Sequence, residues 1–388
     1  MRVVMEPNYL LAQIDLDAIE HNCRVLRSFL KPGCRFCAAV KANAYGHGIE
    51  VVLPALKSAG VDMLAVAAIC EAQQLRRVGW QEPILLLGSE LSIYTGRQKQ
   101  EIANWLVENT IRVSVTTPED IDALASASHA LSTPAIVHLM LDSGMSRDGV
   151  NEELILKLMD QTAHHPQVVL EGVYTHFATA GERDEHFARR QLERFNVFLE
   201  RLRDRDLRIP LIHAANSAAT IDLPESHFDM VRPGISINGY HASPEMRNKP
   251  DLRPAMRVVS CLTLVKTIPA GSYVGYGCTF RAPCDMLIGL VPIGYGDGYD
   301  RRLSNTGKML IDDHVVPVVG RISMDQTIVD LTALIREKVS LHPGREIVVI
   351  DNRRESPNSV EALAKILDTI PYEITTSLGP RARRVPLK

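Results

Sequence analysis

Between residues 15 and 231, short apolar runs alternate with stretches whose apolar residues recur every three to four positions. The first such stretch predicts a helix over 15–30, with Leu16, Ile19, Val25, Leu26 and Phe29 on one face. Asp15 or Asp17 stands where a carboxylate can accept the free amides of its first turn. Residues 36–40 form an apolar run too short for a helix and predict a buried strand over 36–41. The same reading gives strands over 63–67, 84–87, 112–115, 135–141, 168–174, 211–214 and 228–231. Helices over 49–59, 71–78, 118–127 and 185–204 fall between them. Gly60 and Gly79 stop the first two, and Thr117 caps the third. Phe187, Leu192, Phe195, Phe198 and Leu202 form a stripe along the last. Eight strand–helix repeats in roughly 230 residues match a (β/α)8 barrel of the TIM type in length and order. A doubly wound open sheet is the runner-up, but no G-x-G-x-x-G follows a strand.

The texture changes after Gly239. Residues 241–253 are polar and proline-bearing and read as a linker. Beyond them, β-rich runs at 256–267, 286–292, 309–311, 315–319, 327–331 and 346–350 are separated by Gly, Pro and Asp clusters. One helix is predicted late, over 360–367. The organisation expected is a barrel over 1–243 and a mainly β domain over 244–388, with the first residues able to join the second domain.

Composition narrows the function. A formal charge of −3 gives no basic footprint for nucleic acid or an anionic membrane. No apolar run approaches bilayer length, and the first residues have no apolar core of a signal peptide, so a cytoplasmic location is expected. The seven cysteines are scattered, and Cys34 and Cys37 have no second pair, so no metal site is expected and reduced thiols are.

If the barrel holds, chemistry belongs at the C-terminal ends of its strands. The first strand ends at Lys41, whose amine loses hydration against an apolar strand and so becomes a nucleophile or base. The fifth leads to Asp142 and Arg147, and the sixth to His176. The seventh leads to Asn216 and Ser217, and the eighth to Arg232 and Gly234. Singly, each has a plain structural explanation, such as His176 packed in the core or Arg232 paired with Asp229. Together they describe a cleft.

These residues carry a resemblance. Val40-Lys41-Ala42-Asn43-Ala44-Tyr45-Gly46-His47-Gly48 resembles the signature of the alanine racemases, a fold-type III family that uses pyridoxal phosphate. The segments 142–147, 174–178, 216–218 and 231–234 resemble its later barrel motifs, and 274–280, 293–299 and 320–325 those of its second domain, in the same order. The resemblance implies that Lys41 holds pyridoxal 5'-phosphate as a Schiff base and then serves as a base. It implies that Tyr45, Asn216, Ser217, Gly234 and Ile235 contribute to the cofactor site, with Tyr45, Ser217 and the backbone near Gly234 and Ile235 forming a neutral phosphate cradle. Arg232 would face the pyridine nitrogen with His176 beside it. Arginine stays protonated, so it cannot hand that nitrogen a proton, which suits racemisation better than transamination.

Inverting a stereocentre is simplest with one proton acceptor on each face, and Tyr276 is the implied partner of Lys41. An ordinary tyrosine is a poor base near neutrality, so nearby cations or a concerted transfer must help it. In the family this tyrosine comes from the other subunit, as do the residues matched by Tyr295, Met324 and Asp325. The expectation is therefore a homodimer with shared sites, acting on a small amino acid. Arg147 and the Met324 backbone would hold the substrate carboxylate, and Tyr295 would narrow the entrance. A racemase of broader or different specificity (serine, lysine or arginine) is the alternative. Three positions depart from the family pattern. Met140 stands where many members have a lysine that orients the matching arginine, so an anion or Asp142 is expected to replace it. Gly379-Pro380-Arg381 stands where a phosphate-binding tyrosine is expected, and Ser323 replaces a cysteine.

Overall fold

A computed structural model describes residues 9–387. The chain opens with β1 (Leu11–Ile14) and a helix over Leu16–Arg27, whose N-cap Asp15 accepts the Ala18 amide at 2.9 Å. Eight parallel strands then close a barrel. They are β2 (Arg35–Ala39), β3 (Met63–Val66), β4 (Ile84–Leu86), β5 (Ile111–Ser114), β6 (Ala135–Met140), β7 (Val168–Tyr174), β8 (Leu211–His213) and β9 (Met230–Val231). Closure is the pairing of β2 with β9, Arg35 opposite Met230 and Phe36 opposite Val231. The barrel is the expected one, with every strand within a few residues of its predicted span. Three helices beyond those predicted, Gly96–Glu108, Glu152–Ala163 and Ser217–Asp222, complete the outer layer.

The second domain is built on a six-stranded sheet ordered β16-β15-β18-β10-β1-β19. Its members besides β1 are β10 (Met256–Cys261), β15 (Lys308–Ile311), β16 (His314–Pro317), β18 (Glu346–Ile350) and β19 (Arg383–Pro386). Thus β1 lies in the second domain's sheet, antiparallel to β10 and parallel to β19. The apolar run at 256–267 is two strands, not one. After β10 the Leu262 amide bonds Arg345 and the Thr263 amide bonds Leu290, and the chain crosses into a three-stranded sheet of β11 (Leu264–Ile268), β14 (Met286–Val291) and β17 (Thr327–Asp330). Apolar periodicity cannot report such a change of partner. Two short helices, Thr332–Arg336 and Pro371–Thr376, join the predicted one at Val360–Leu367. Among the described residues, no helix is long and apolar enough to cross a membrane, and no cluster of His, Cys, Asp and Glu is arranged to hold a metal.

Candidate active site

Lys41 begins a turn rather than ending a strand. β2 stops at Ala39, and Ala42, Asn43, Ala44 and Tyr45 all take positive φ, between 51° and 55°. Four consecutive side-chain-bearing residues in this region form a left-handed turn, at about 1–2 kcal/mol each for L-amino acids. The surroundings hold it there. Glu71 accepts the Ala42 amide through Oε1 at 2.5 Å and the Ala67 amide through Oε2 at 2.9 Å. Asn43 Oδ1 accepts the Ile49 amide at 2.9 Å. His47 is fully buried and bonds the Tyr45 carbonyl through Nδ1 at 3.0 Å. The turn aims Lys41 and Tyr45 into one cavity at the C-terminal mouth of the barrel.

That cavity, about 290 Å³, is lined by Lys41, Tyr45, Arg147, His176, Asn216, Ser217, Arg232, Gly234 and Tyr372, among others. Larger clefts, of about 550 and 480 Å³, lie elsewhere and contain no barrel strand-end group. The structure therefore brings together Lys41, the predicted cofactor residues and Arg147; Ile235 lies buried just behind, opening the turn Ile235–Asn238.

Electrostatics differentiates the groups. Burial, reinforced by Arg147, lowers the pKa of the Lys41 amine and so increases its neutral fraction. Burial pushes the Tyr45 hydroxyl up to about 12, which keeps it a hydrogen-bond donor. Burial, with Arg232 adding to it, pushes His176 down to about 3, so its imidazole is neutral. Arg232 is buried without a carboxylate partner. Its guanidinium donates to His213 Nδ1 at 2.7 Å, to the Thr175 and Ala214 carbonyls at 2.9 and 3.2 Å, and to His176 Nδ1 at 3.3 Å. Asp229, the local partner considered for it, instead accepts the Ile212 amide at 2.8 Å.

One wall is shaped for an anion. The amides of Gly234 and Ser236 converge on Ser217 Oγ, at 2.8 and 3.4 Å. A Cβ on Gly234 would sit 2.2 Å from Tyr45 Oη, so only glycine lets the tyrosine hydroxyl approach these amides. Convergent neutral donors fit a phosphate, and a lysine of lowered pKa beside them fits an aldehyde. Asn216 caps the helix Ser217–Asp222 by accepting the Ala219 amide at 3.1 Å, which fixes the serine's approach.

Two departures resolve differently from expectation. Arg147 pairs with Asp148 at 2.8 Å, while Asp142 is occupied by the Gly144 and Ser146 amides at 2.9 and 3.0 Å. Asp142 therefore does not replace the lysine absent at Met140. Pro380 offers no such hydroxyl, and the second-domain tyrosine that reaches the cavity wall is Tyr372, beside Tyr45. Sequence reasoning missed it because it sits on a short helix of the second domain, away from every barrel strand end.

The second-domain candidates are not in this cavity. Tyr276, Tyr295 and Met324 are 73%, 43% and 55% exposed, and Tyr276 lines a separate shallow depression with Arg321 and Ser323. Asp325 forms an ion pair with Arg381 at 2.7 Å, and the same guanidinium bonds Asp297 at 2.6 Å. Through Arg381 this carboxylate is tied to Asp297 and so to the loop that bears Tyr295.

The family description "Alanine racemase, N-terminal domain" matches residues 14–242, and "Alanine racemase, C-terminal domain" matches 255–386. An alanine racemase of a Nostoc species is 37% identical over 373 residues, covering 96% of this chain and 94% of that protein. The crystal structure of alanine racemase from D-cycloserine-producing Streptomyces lavendulae superposes with a TM-score of 0.88 at 35% identity, covering 98% of each chain. The Bartonella henselae alanine racemase with covalently bound pyridoxal phosphate gives a TM-score of 0.82 at 29% identity, covering 98% of this chain and 100% of that one.

Proposed function

The chain belongs to the alanine racemase family, and on that premise we propose that it interconverts L- and D-alanine with Lys41 and Tyr276 as its two proton-transferring groups. The activity is that of an isomerase, and the pyridoxal phosphate bound covalently in the Bartonella henselae relative supports the same cofactor for this chain. The observation that carries the residue assignment is the coincidence, in one cavity, of a lysine with depressed pKa, a permanently charged Arg232 and a neutral anion cradle.

Pyridoxal 5'-phosphate, when bound, supplies the electron sink that makes an amino acid's α-proton removable. Lys41 would hold it, and Tyr45, Ser217 and the Gly234 amide would bind its phosphate, with Asn216 fixing Ser217 and Ile235 backing the cradle. Arg232 would offer the ring nitrogen a donor, never a transferable proton, and neutral His176, which accepts from it at 3.3 Å, would support it. Arg147 faces the substrate carboxylate. The neutral amine of Lys41 takes or returns the proton on one face of the α-carbon.

For the opposite face we assign Tyr276, which lies outside this chain's own cavity. Tyr276, with Tyr295 and Met324, is exposed on the second domain, where a second copy can receive it. A homodimer with shared sites supplies what one chain lacks. The product, D-alanine, suits peptidoglycan synthesis in the cytoplasm.

The test is a chiral assay of purified protein on single L-amino acids, with and without added pyridoxal phosphate. Formation of D-alanine from L-alanine, increased by the cofactor, is expected. Racemisation of another amino acid but not alanine would overturn the substrate assignment.

A further inference from the structure

The interior of the barrel carries a polar file that the site alone does not require. Arg232 on the C-terminal side bonds His213 at the end of β8, at 2.7 Å. His213 Nε2 lies 2.9 Å from His138 Nδ1 on β6. His138 Nε2 lies 2.9 Å from Glu171 Oε2 on β7. Glu171 in turn meets Arg112 of β5, at 3.2 Å, toward the opposite mouth. Both histidines are fully buried.

The two ends give this file a single direction. A guanidinium only donates and a carboxylate only accepts. His213 Nδ1 must accept from Arg232, so its proton is on Nε2 and is donated to His138 Nδ1. His138 then carries its own proton on Nε2 and donates it to Glu171. Reversing either ring would point a donor at a donor.

The surroundings hold the rings in register. Tyr174 stacks on His213 with centroids 4.7 Å apart and planes 10° apart. Arg232 lies over the same tyrosine ring at 5.1 Å. Ser114 holds the Tyr174 hydroxyl at 2.8 Å. Opposite His138, a Cβ on residue 172 would come within 2.4 Å of Nδ1, so Gly172 leaves the room the imidazole needs.

We infer that Glu171, acting through His138 and His213, is a positioning residue for Arg232: it accepts at the end of the file that Arg232 orients and places one negative charge in line with the buried guanidinium. This inference rests on the assignment of Arg232 to the cofactor's ring nitrogen. Burial opposes ionisation of Glu171, but the bond from His138 and the charge of Arg112 prevail and hold it at about 2, so the acceptor persists at neutral pH. Burial likewise pushes His213 well below the usual imidazole range and lowers His138, so both rings remain neutral carriers of one proton each.

The test begins with cofactor-free wild-type protein labelled with ¹⁵N-histidine. Nitrogen–proton correlation spectra, assigned through His138→Gln and His213→Gln, are expected to show Nε2–H at both rings. An Nδ1–H tautomer at either ring overturns the proposal, whatever the variants do. In Glu171→Gln the amide oxygen still accepts from His138 and Arg232 still donates to His213, so both Nε2–H tautomers are expected to persist and only the negative charge is lost. Turnover should fall about 10- to 100-fold in kcat while KM changes less than about threefold, the range for a group that acts through another. Arg112→Gln breaks the barrel-bottom ion pair but leaves the acceptor in place, and should retain both tautomers and kcat within about threefold. Equal losses of kcat in the two variants would make the file merely structural. Because wild-type racemisation is measured alongside, failure of this inference is distinguishable from failure of the racemase assignment.

Discussion

The Tyr372 ring of the second domain meets the Tyr45 ring of the barrel with centroids 5.8 Å apart and planes inclined by 59°. Both line the cavity, so its wall is assembled from both domains of one chain. Burial, with Tyr45 adding to it, raises the pKa of Tyr372, which keeps its hydroxyl a donor. Tyr372→Phe retains the ring contact and loses only that donor. Its dissociation constant for pyridoxal phosphate, measured by fluorescence titration, should rise about three- to tenfold, the cost of one neutral hydrogen bond. An unchanged constant would remove Tyr372 from the phosphate site.

The barrel was readable because each strand is a compact apolar run and each amphipathic helix repeats at its own period. Lys41, His176, Ser217 and Arg232 followed from one rule about strand ends. The shape of the Lys41 turn did not, because four non-glycine residues at positive φ run against local preference and only Glu71, His47 and Asn43 make it tolerable. The first residues were expected to be able to join the second domain, but the pairing of β1 with β10 was hidden, since four residues carry no record of a partner about 245 positions away. Tyr372 required coordinates because its contact with Tyr45 joins segments that sequence spacing does not connect, and the Arg147–Asp148 pair did because spacing does not report which way two neighbouring side chains turn.

Glu71 is the brace of the left-handed turn. One carboxylate spans the Ala42, Ala67 and Ala68 amides, at 2.5, 2.9 and 3.2 Å. Glu71→Ala leaves those donors unmatched and should destabilise the protein by about 2–3 kcal/mol, the scale of hydrogen bonds to a charged group. Calorimetry should show a melting temperature lower by several degrees, and cofactor affinity should fall with it as Lys41 loses its aim. Melting within a degree of wild type would mean that the turn is held by His47 and Asn43 alone.

Acid sensitivity follows from the buried histidines. Burial pushes His47 to about 4 and His176 to about 3, both below the ordinary value of about 6.5 that the unfolded chain recovers. Below that value the unfolded state binds protons that the folded state does not, so stability is full above pH 6.5 and declines as the pH falls. Each histidine contributes a slope of about 1.4 kcal/mol per pH unit until its folded pKa is reached. Chemical denaturation between pH 7.5 and 4.5 should show this decline, and His176→Gln should reduce the slope by about one histidine's share. Identical slopes for the two proteins would contradict the burial of a neutral His176.

Shared sites make a quantitative demand on mixed dimers. Lys41→Ala and Tyr276→Phe each remove a base, and each homodimer should have lost nearly all racemisation. Co-expressed in equal amounts, the two chains form heterodimers in about half of the assemblies. In such a heterodimer, the cavity of the Lys41-bearing chain receives Tyr276 from its partner and is intact. The other cavity lacks both groups. About a quarter of all sites are then complete, and the mixture should regain about a quarter of wild-type kcat. If lysine and tyrosine served the same chain's cavity, every site in every pairing would lack one base and no activity would return. Recovery therefore separates the two arrangements by a positive signal, and absence of recovery in chromatographically verified heterodimers would place Tyr276 outside the partner's site.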